Sequence, residues 1–142
     1  MNQQEAETWV REAMTAPYAH ELFELEVLSI APGAVTLALP HRRAYEHQPG
    51  WFQGAITTAL GEYAASYAAA TGAEPGSANL TLSQAIHFIG PARGERLIAE
   101  ARVIEPGRTI THARADIHVE ADGERRLCAT LTLTMRHVQP RK

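Results

Sequence analysis

Glu62 is the one charged residue between Trp51 and Ala70, a stretch otherwise made of small, aliphatic, aromatic and neutral polar side chains. Read as a helix, the stretch places Ala59, Ala65, Thr58 and Ser66 three and four residues from Glu62, so no basic side chain on that helix can neutralise it. A carboxylate in such company either reaches water or is held for chemistry, as a general base or a nucleophile. Nine residues earlier, Gln53-Gly54-Ala55 stands where the helix should begin. The first backbone N–H groups of a helix lack intrahelical acceptors and lie at its positive end, so they favour negative charge. Gly54 adds the freedom for a ligand to approach without meeting a Cβ.

The surrounding pattern says what must hold these groups. Helix signals run from about Phe52 to Thr71, with Gly72 as the stop. Ile56, Leu60, Tyr63, Ala64 and Tyr67 fall on a bulky face, and Ala55, Ala59, Glu62, Ser66 and Ala69 on a nearly flat one. Apolar almost all round, this helix is expected to be central, and its flat face invites a second subunit. Before it, period-two runs at Phe23–Ser29 and Val35–Leu39, split by Pro32-Gly33, predict a hairpin. After it, a four-strand meander is expected: Leu80 to Phe88, Leu97 to Val103, Ile110 to Val119 and Leu127 to Val138. Pro91–Gly94, Glu105–Arg108 and Asp122-Gly123 separate them, and connections this short make the sheet mostly antiparallel. A short amphipathic helix at about 2–15 leads the chain, carrying Trp9, Val10 and Met14 on one side.

The 142 residues suit one domain spanning 1–142. Thirteen basic against sixteen acidic residues leave a charge of −3, which offers no bulk attraction to nucleic acid or to an anionic membrane. No run approaches the ~18 apolar residues of a membrane span, and the polar N-terminus does not read as a signal peptide, so the expected compartment is the cytoplasm. Cys128, the single cysteine, excludes an internal disulfide and reads as a small core residue. The seven histidines show no compact ligand spacing, so no metal is expected.

The order hairpin, long helix, strands, with Gln53-Gly54-Ala55 followed after six residues by Glu62, resembles the hotdog fold. In that α+β fold an antiparallel sheet of about six strands wraps a central helix. More closely, the chain resembles acyl-CoA thioesterases of the phenylacetate-catabolism (PaaI-like) family, from about Phe23 to Val138. That family's pattern is His-Gly-Gly, six residues, then Asp; Gln53, Ala55 and Glu62 depart from it. Glu62 keeps the carboxylate and lengthens its reach by one methylene, while Gln53 removes a titratable group. A Gln and Glu pair in comparable roles occurs in another hotdog branch, the 4-hydroxybenzoyl-type thioesterases.

The resemblance implies hydrolysis of a CoA thioester without cofactor or metal, in a homodimer or homotetramer whose sites lie between subunits. Glu62 would be base or nucleophile, the amide of Gly54 or its neighbours the oxyanion donor, and Gln53 a donor to the thioester carbonyl or to water. Capping of the helix is the alternative for Gln53. Thr81 maps onto a family hydroxyl that positions water, against an ordinary strand threonine. His47 stands at the family's asparagine position. Trp51, Phe52 and Ala55 would line the acyl pocket, and Arg108 with Thr109 would meet CoA phosphates. Two rivals remain: a hydratase or dehydratase of the same fold using His47 and Glu62, and a non-catalytic acyl-CoA-binding protein.

Overall fold

The structure, a computed structural model, describes residues 1–140. Helix α1 (Gln3–Ala13) opens with a reciprocal cap, the Asn2 side chain accepting from the Glu5 N–H at 2.9 Å and Glu5 accepting from the Asn2 N–H at 2.8 Å. Ala6 and Val10 are its buried residues. A single π-helical turn at Tyr18–Leu22 follows, then strands β1 (Glu26–Ala31) and β2 (Ala34–Pro40). A 3₁₀ turn at Arg43–Tyr45 leads into a two-stranded ribbon, β3 (Glu46–Gln48) and β4 (Trp51–Phe52). Helix α2 (Gly54–Thr71) is next, then β5 (Ala78–Phe88), β6 (Arg96–Glu105), β7 (Ile110–Ala121) and β8 (Glu124–Val138). The helix starts two residues later than the sequence pattern indicates, because Phe52 is held in β4 with its N–H on the Ala92 carbonyl at 2.9 Å.

Six strands form one antiparallel sheet in the order β1-β2-β6-β7-β8-β5, the curled-sheet arrangement implied by the hotdog resemblance. One expectation fails. β5 does not form a meander with β6; it lies at the opposite edge against β8, and β6 pairs with β2. Strand pairs three positions apart are about 14 Å from each other, and the seven-residue connection Ile89–Glu95 is long enough to cross that gap at the end of the sheet. The turn between β7 and β8 follows its sequence, with Asp122 at φ 54° and Gly123 at φ 77°, both left-handed as a two-residue hairpin turn requires.

α2 packs into the concave face of β2, β6, β7 and β8. Leu37, Leu39, Leu60, Leu97, Ile117, Leu131 and Leu133 fill the space and are essentially sealed from water. Each contributes about 1.5–3 kcal/mol by burial. The closest approach is at Gly61, where a Cβ would stand 2.8 Å from Ile117 Cδ1 and 3.3 Å from Leu131 Cδ1. Cys128 occupies the extra residue of a bulge, since Ile117 faces Ala129 while His118 faces Leu127. It is buried, donates to the Ile117 carbonyl at 3.3 Å, and burial pushes its thiol up to about 11, as fits a core residue. No described helix is long and apolar enough to cross a membrane.

Gly61→Val inserts a branched side chain between helix and sheet, and about 1–3 kcal/mol of stability should be lost, read as a lower urea midpoint at unchanged slope. Gly61→Ala should lose less, because the two atoms it meets are the free ends of flexible side chains.

Candidate active site

Glu62 lies at the middle of α2, partly buried, on the wall of a cavity of about 560 Å³. From α2 the lining is Ala59, Glu62, Tyr63, Ser66, Tyr67 and Ala70, a stripe at three- and four-residue spacing. Opposite are Ser77, Asn79 and Thr81, with Met135 of β8, and Trp9 and Tyr18 close the cavity from the N-terminal segment. The flat face read from the sequence thus faces open space at Ala59, Glu62 and Ser66, whereas Ala69 is sealed in the core. Among the described residues no cation forms an ion pair with Glu62, and it is the only charged residue lining the cavity. Gln84 donates to its Oε2 at 3.4 Å.

Gln84 reaches Glu62 because of an irregularity that simple alternation cannot show. Thr81 faces Met135 and Ser83 faces Thr134, so Leu82 is the extra residue of a bulge. The bulge returns Gln84, opposite Leu133, to the same inward face as Thr81. Thr81 lines the cavity with Glu62.

An aromatic cluster forms the rest of the wall. Tyr18 stacks on Tyr63 with ring centres 4.9 Å apart, and Trp9 meets Tyr67 edge-on at 5.6 Å. The Tyr18 and Tyr67 hydroxyls are hydrogen-bonded to each other. Burial, then the neighbouring Tyr18 and Glu62, raise the Tyr63 phenol above its ordinary value, and burial with the Tyr18 hydrogen bond raises Tyr67. Tyr63 and Tyr67 carried a core signal in the sequence and Trp9 the apolar face of the leading helix; Tyr18, Asn79 and Gln84 carried none.

Gln53 and Gly54 lie elsewhere in the same chain. Gln53 occupies the N-cap of α2 but makes no capping bond; its amide donates to the Glu46 carbonyl at 3.3 Å. With no side-chain cap, the first-turn amides of α2 keep their donors free of intrahelical acceptors, and Gly54 and Ala55 are both exposed. The Phe88 ring covers Gly54 so closely that a Cβ there would sit 3.1 Å from it. From Gln53 to Glu62 is nine residues of helix, about 13 Å of rise. One thioester carbonyl cannot touch both groups of a single chain.

The remaining expected residues are not on the Glu62 cavity. His47 is exposed, with its ring 6.0 Å from that of Trp51. Trp51 pairs with Arg93 and lines a separate cavity of about 580 Å³. Phe52 is buried against Tyr45 and His41. Arg108 lies by the C-terminal end of α2, lining a cavity with Gly72 and Glu74, and the neighbouring Thr109 is exposed and accepts the His137 N–H at 2.8 Å. Among the described residues no cluster of three or more histidine, cysteine or acidic groups could hold a metal ion.

This architecture, a long helix inside a curled six-stranded antiparallel sheet with a carboxylate at the middle of that helix, is the hotdog fold. The sequence profile of the Thioesterase superfamily matches residues 51–126. A thioesterase family protein from Silicibacter pomeroyi is 32% identical, covers 95% of this chain and 99% of its own, and superposes with a TM-score of 0.91. The chain belongs to the thioesterase superfamily. Its fold is also that of the Escherichia coli PaaI protein from the phenylacetic acid degradation operon (16% identity, 97% and 96% covered, TM-score 0.83). A thioesterase from Haemophilus influenzae is similar too (22% identity, 91% and 87% covered, TM-score 0.79). No curated protein sequence matches the chain.

A buried histidine braces one side of the cavity. His137, 2% exposed, has Nδ1 2.6 Å from Asn79 Oδ1 and Nε2 2.7 Å from Thr111 Oγ1. The Asn79 carbonyl only accepts, so Nδ1 carries the proton and Nε2 takes the Thr111 hydroxyl proton, while Thr111 accepts from the Gly107 N–H at 3.2 Å. Every group is satisfied with the ring neutral, and burial lowers the His137 pKa below 6.5. Unfolded chain therefore binds this proton first: the stability due to neutral His137 is complete above 6.5 and declines as pH falls towards the lowered native value. Urea midpoints measured from about pH 7.5 to 5 should fall more steeply for the native protein than for His137→Gln; equal slopes would remove His137 from that acid limb.

Proposed function

We propose that the protein hydrolyses acyl-CoA thioesters to the free acid and CoA, as a homodimer at minimum, with each site shared between two copies. Glu62 of one protomer provides the base or nucleophile, and the Gln53-Gly54 helix start of the other provides the donors. The observation that carries this reading is the separation of about 13 Å between those two halves on a single helix. A two-fold axis that sets two α2 helices side by side in opposite directions brings each Glu62 to the other's helix start, twice over.

The edge of the sheet supports that assembly. β5 presents Leu80 and Leu82 at 55% exposure and Phe88 at 57%, with Ile89 just beyond. An unpaired edge with such a row is an aggregation hazard unless another strand covers it. A second copy pairing β5 to β5 covers it and places Phe88 and Gly54 at the joint. This is also the edge that carries Thr81 and Gln84 to Glu62.

In the base route, Glu62 takes a proton from a water held with Thr81 as the water oxygen adds to the thioester carbon. The carbonyl oxygen becomes an oxyanion facing the free amides of Gly54 and Ala55, with the Gln53 amide beside them. Collapse breaks the carbon–sulfur bond, and the proton on Glu62 passes to the CoA thiolate. In the nucleophile route, the Glu62 oxygen itself adds to the thioester carbon, the carbon–sulfur bond breaks and CoA leaves as the thiolate; water then hydrolyses the resulting anhydride to the free acid and Glu62 carboxylate, its proton passing to the thiolate. His47 and Trp51, grouped near the helix start, contribute the acyl-side wall across the dimer, with Phe52 packed beneath them. Arg108 and Thr109, beside Gly72 and about 15 Å of helix from Glu62, meet the CoA phosphates at the other end of an extended thiol arm.

Glu62→Gln should lower kcat for acyl-CoA hydrolysis about 10²–10⁴-fold, measured as free-thiol release. Gln53→Ala should also be impaired, and mixing the two inactive variants under exchange conditions should restore about a quarter of native activity, because half of the dimers regain one intact site. No restoration in mixtures shown to contain heterodimers would remove the shared site. Arg108→Ala should raise KM about tenfold for acyl-CoA while leaving acyl-N-acetylcysteamine, which lacks the phosphates, unchanged. Equal effects on both substrates would place the phosphates elsewhere.

A further inference from the structure

β5 departs from alternation beside Glu62. Counting by twos from Thr81, regular alternation would turn Ser83, Ala85 and His87 towards α2. The bulge at Leu82 advances the count by one, so Gln84, Ile86 and Phe88 take that face, opposite Leu133, Leu131 and Ala129. Two contacts agree with this register: Ile86 packs against the core and the Phe88 ring lies on Gly54. Ser83, Ala85 and His87 are turned outward, opposite Thr134, Thr132 and Thr130. One inserted residue thus keeps an ionisable ring off the inner face and sets a neutral amide against the carboxylate.

Of the two ends of that amide only Nε2 can donate, and it meets Glu62 Oε2 at 3.4 Å. Among the described residues Glu62 Oε1 has no hydrogen-bond partner. The two oxygens are therefore not equivalent: Oε1 is free to react, whereas Oε2 would first have to give up its donor. A cation in the place of Gln84 would hold the group as an ion pair and make it a weaker base; an amide orients it without neutralising it. The bond is long, as catalytic hydrogen bonds often are before substrate is bound. Gln84 is exposed in the single chain, and β5-to-β5 pairing lays a second copy over that edge. As water leaves, a hydrogen bond to a charged group strengthens.

Resting on the thioesterase reading above, we propose that Gln84 is the positioning residue of Glu62: it pins Oε2, so that Oε1 is the oxygen that takes the proton from water or adds to the thioester carbon. Gln84 itself touches no substrate in this role, so its loss acts on kcat. Without it the carboxylate turns about its own side-chain bonds, and its reactive oxygen is spread over orientations that do not face the thioester. The bulge is what lets one strand bring both Thr81 and Gln84 to the same carboxylate.

Two variants of the full-length protein test this. Gln84→Met keeps the length and removes the donor; kcat for acyl-CoA hydrolysis should fall about tenfold, the low end for a bond to a charged group, with KM unchanged. Gln84→Glu keeps the shape and sets a second carboxyl against the first. Two facing carboxylates resist ionising together, so as pH falls from about 8 to 6 the introduced group takes up a proton and regains a donor. Its kcat relative to native protein at the same pH should then recover about threefold, while the Gln84→Met ratio stays flat. The other ionisable groups on the cavity are the phenols of Tyr18, Tyr63 and Tyr67, and phenols titrate at about pH 10, outside this range. Flat ratios for both variants, or a loss confined to KM, would overturn the positioning role. The contact is also read without turnover: the Gln84 side-chain amide resonances, followed by nitrogen-15 NMR, should move upfield in Glu62→Gln as their acceptor loses its charge. Resonances indifferent to Glu62→Gln would overturn the role of Gln84 whatever the turnover. Native protein that hydrolyses no acyl-CoA while those resonances respond would sink the thioesterase reading alone, with Gln84 still holding the carboxylate.

Discussion

The close seating of α2 in the curled sheet is the constraint on which the other features depend. A helix can come this near β7 and β8 only where its side chains nearly vanish, and Gly61, Ala64, Ala65 and Ala68 supply that surface. Because Gly61 faces the sheet, the carboxylate at the next position is turned to the side of the helix and stands partly buried on the cavity wall. The same seating leaves space on the side of Ala59, Ser66 and Ala70, where small residues meet no strand of comparable bulk. Chamber and carboxylate are two consequences of one packing decision.

The distribution of charge follows the same division. The solvent face of the sheet carries ion pairs, such as Arg96 with Glu120, Arg102 and Arg114 with Asp116, and Arg125 with Glu100. Exposed pairs of this kind contribute little to stability. On the cavity wall Glu62 has the Gln84 amide for company, and burial favours the neutral form of His137, whose two ring nitrogens are both hydrogen-bonded. A lone negative charge facing an uncharged aromatic chamber suits a base or a nucleophile better than a structural ion pair, which would be held by a cation.

Much of the fold was legible in local patterns because those patterns have local causes. Asp122-Gly123 demands a two-residue turn, the small-residue run from Gly54 to Ala70 demands a covered helix, and Glu62 stands out for lack of any charged neighbour. Strand order was not legible. β5 is followed by a short Pro-containing connection that reads as a hairpin turn, yet seven residues suffice to cross the end of the sheet, and β5 pairs with β8. The site was half legible for a related reason. Thr81 was named only through the family resemblance, Gln84 entered through a bulge at Leu82, and Trp9 and Tyr18 arrived from a segment more than forty residues away along the chain.

By itself, then, the sequence determined the main elements and the carboxylate at the middle of the long helix, since these depend on side-chain type and short-range periodicity. Only the tertiary structure decided what surrounds that carboxylate: which strand edge reaches it, which aromatics wall its chamber, and how far Gln53 and Gly54 stand from it. Those are distances between segments remote in sequence, set by how the whole chain buries its apolar surface, and no local pattern contains them.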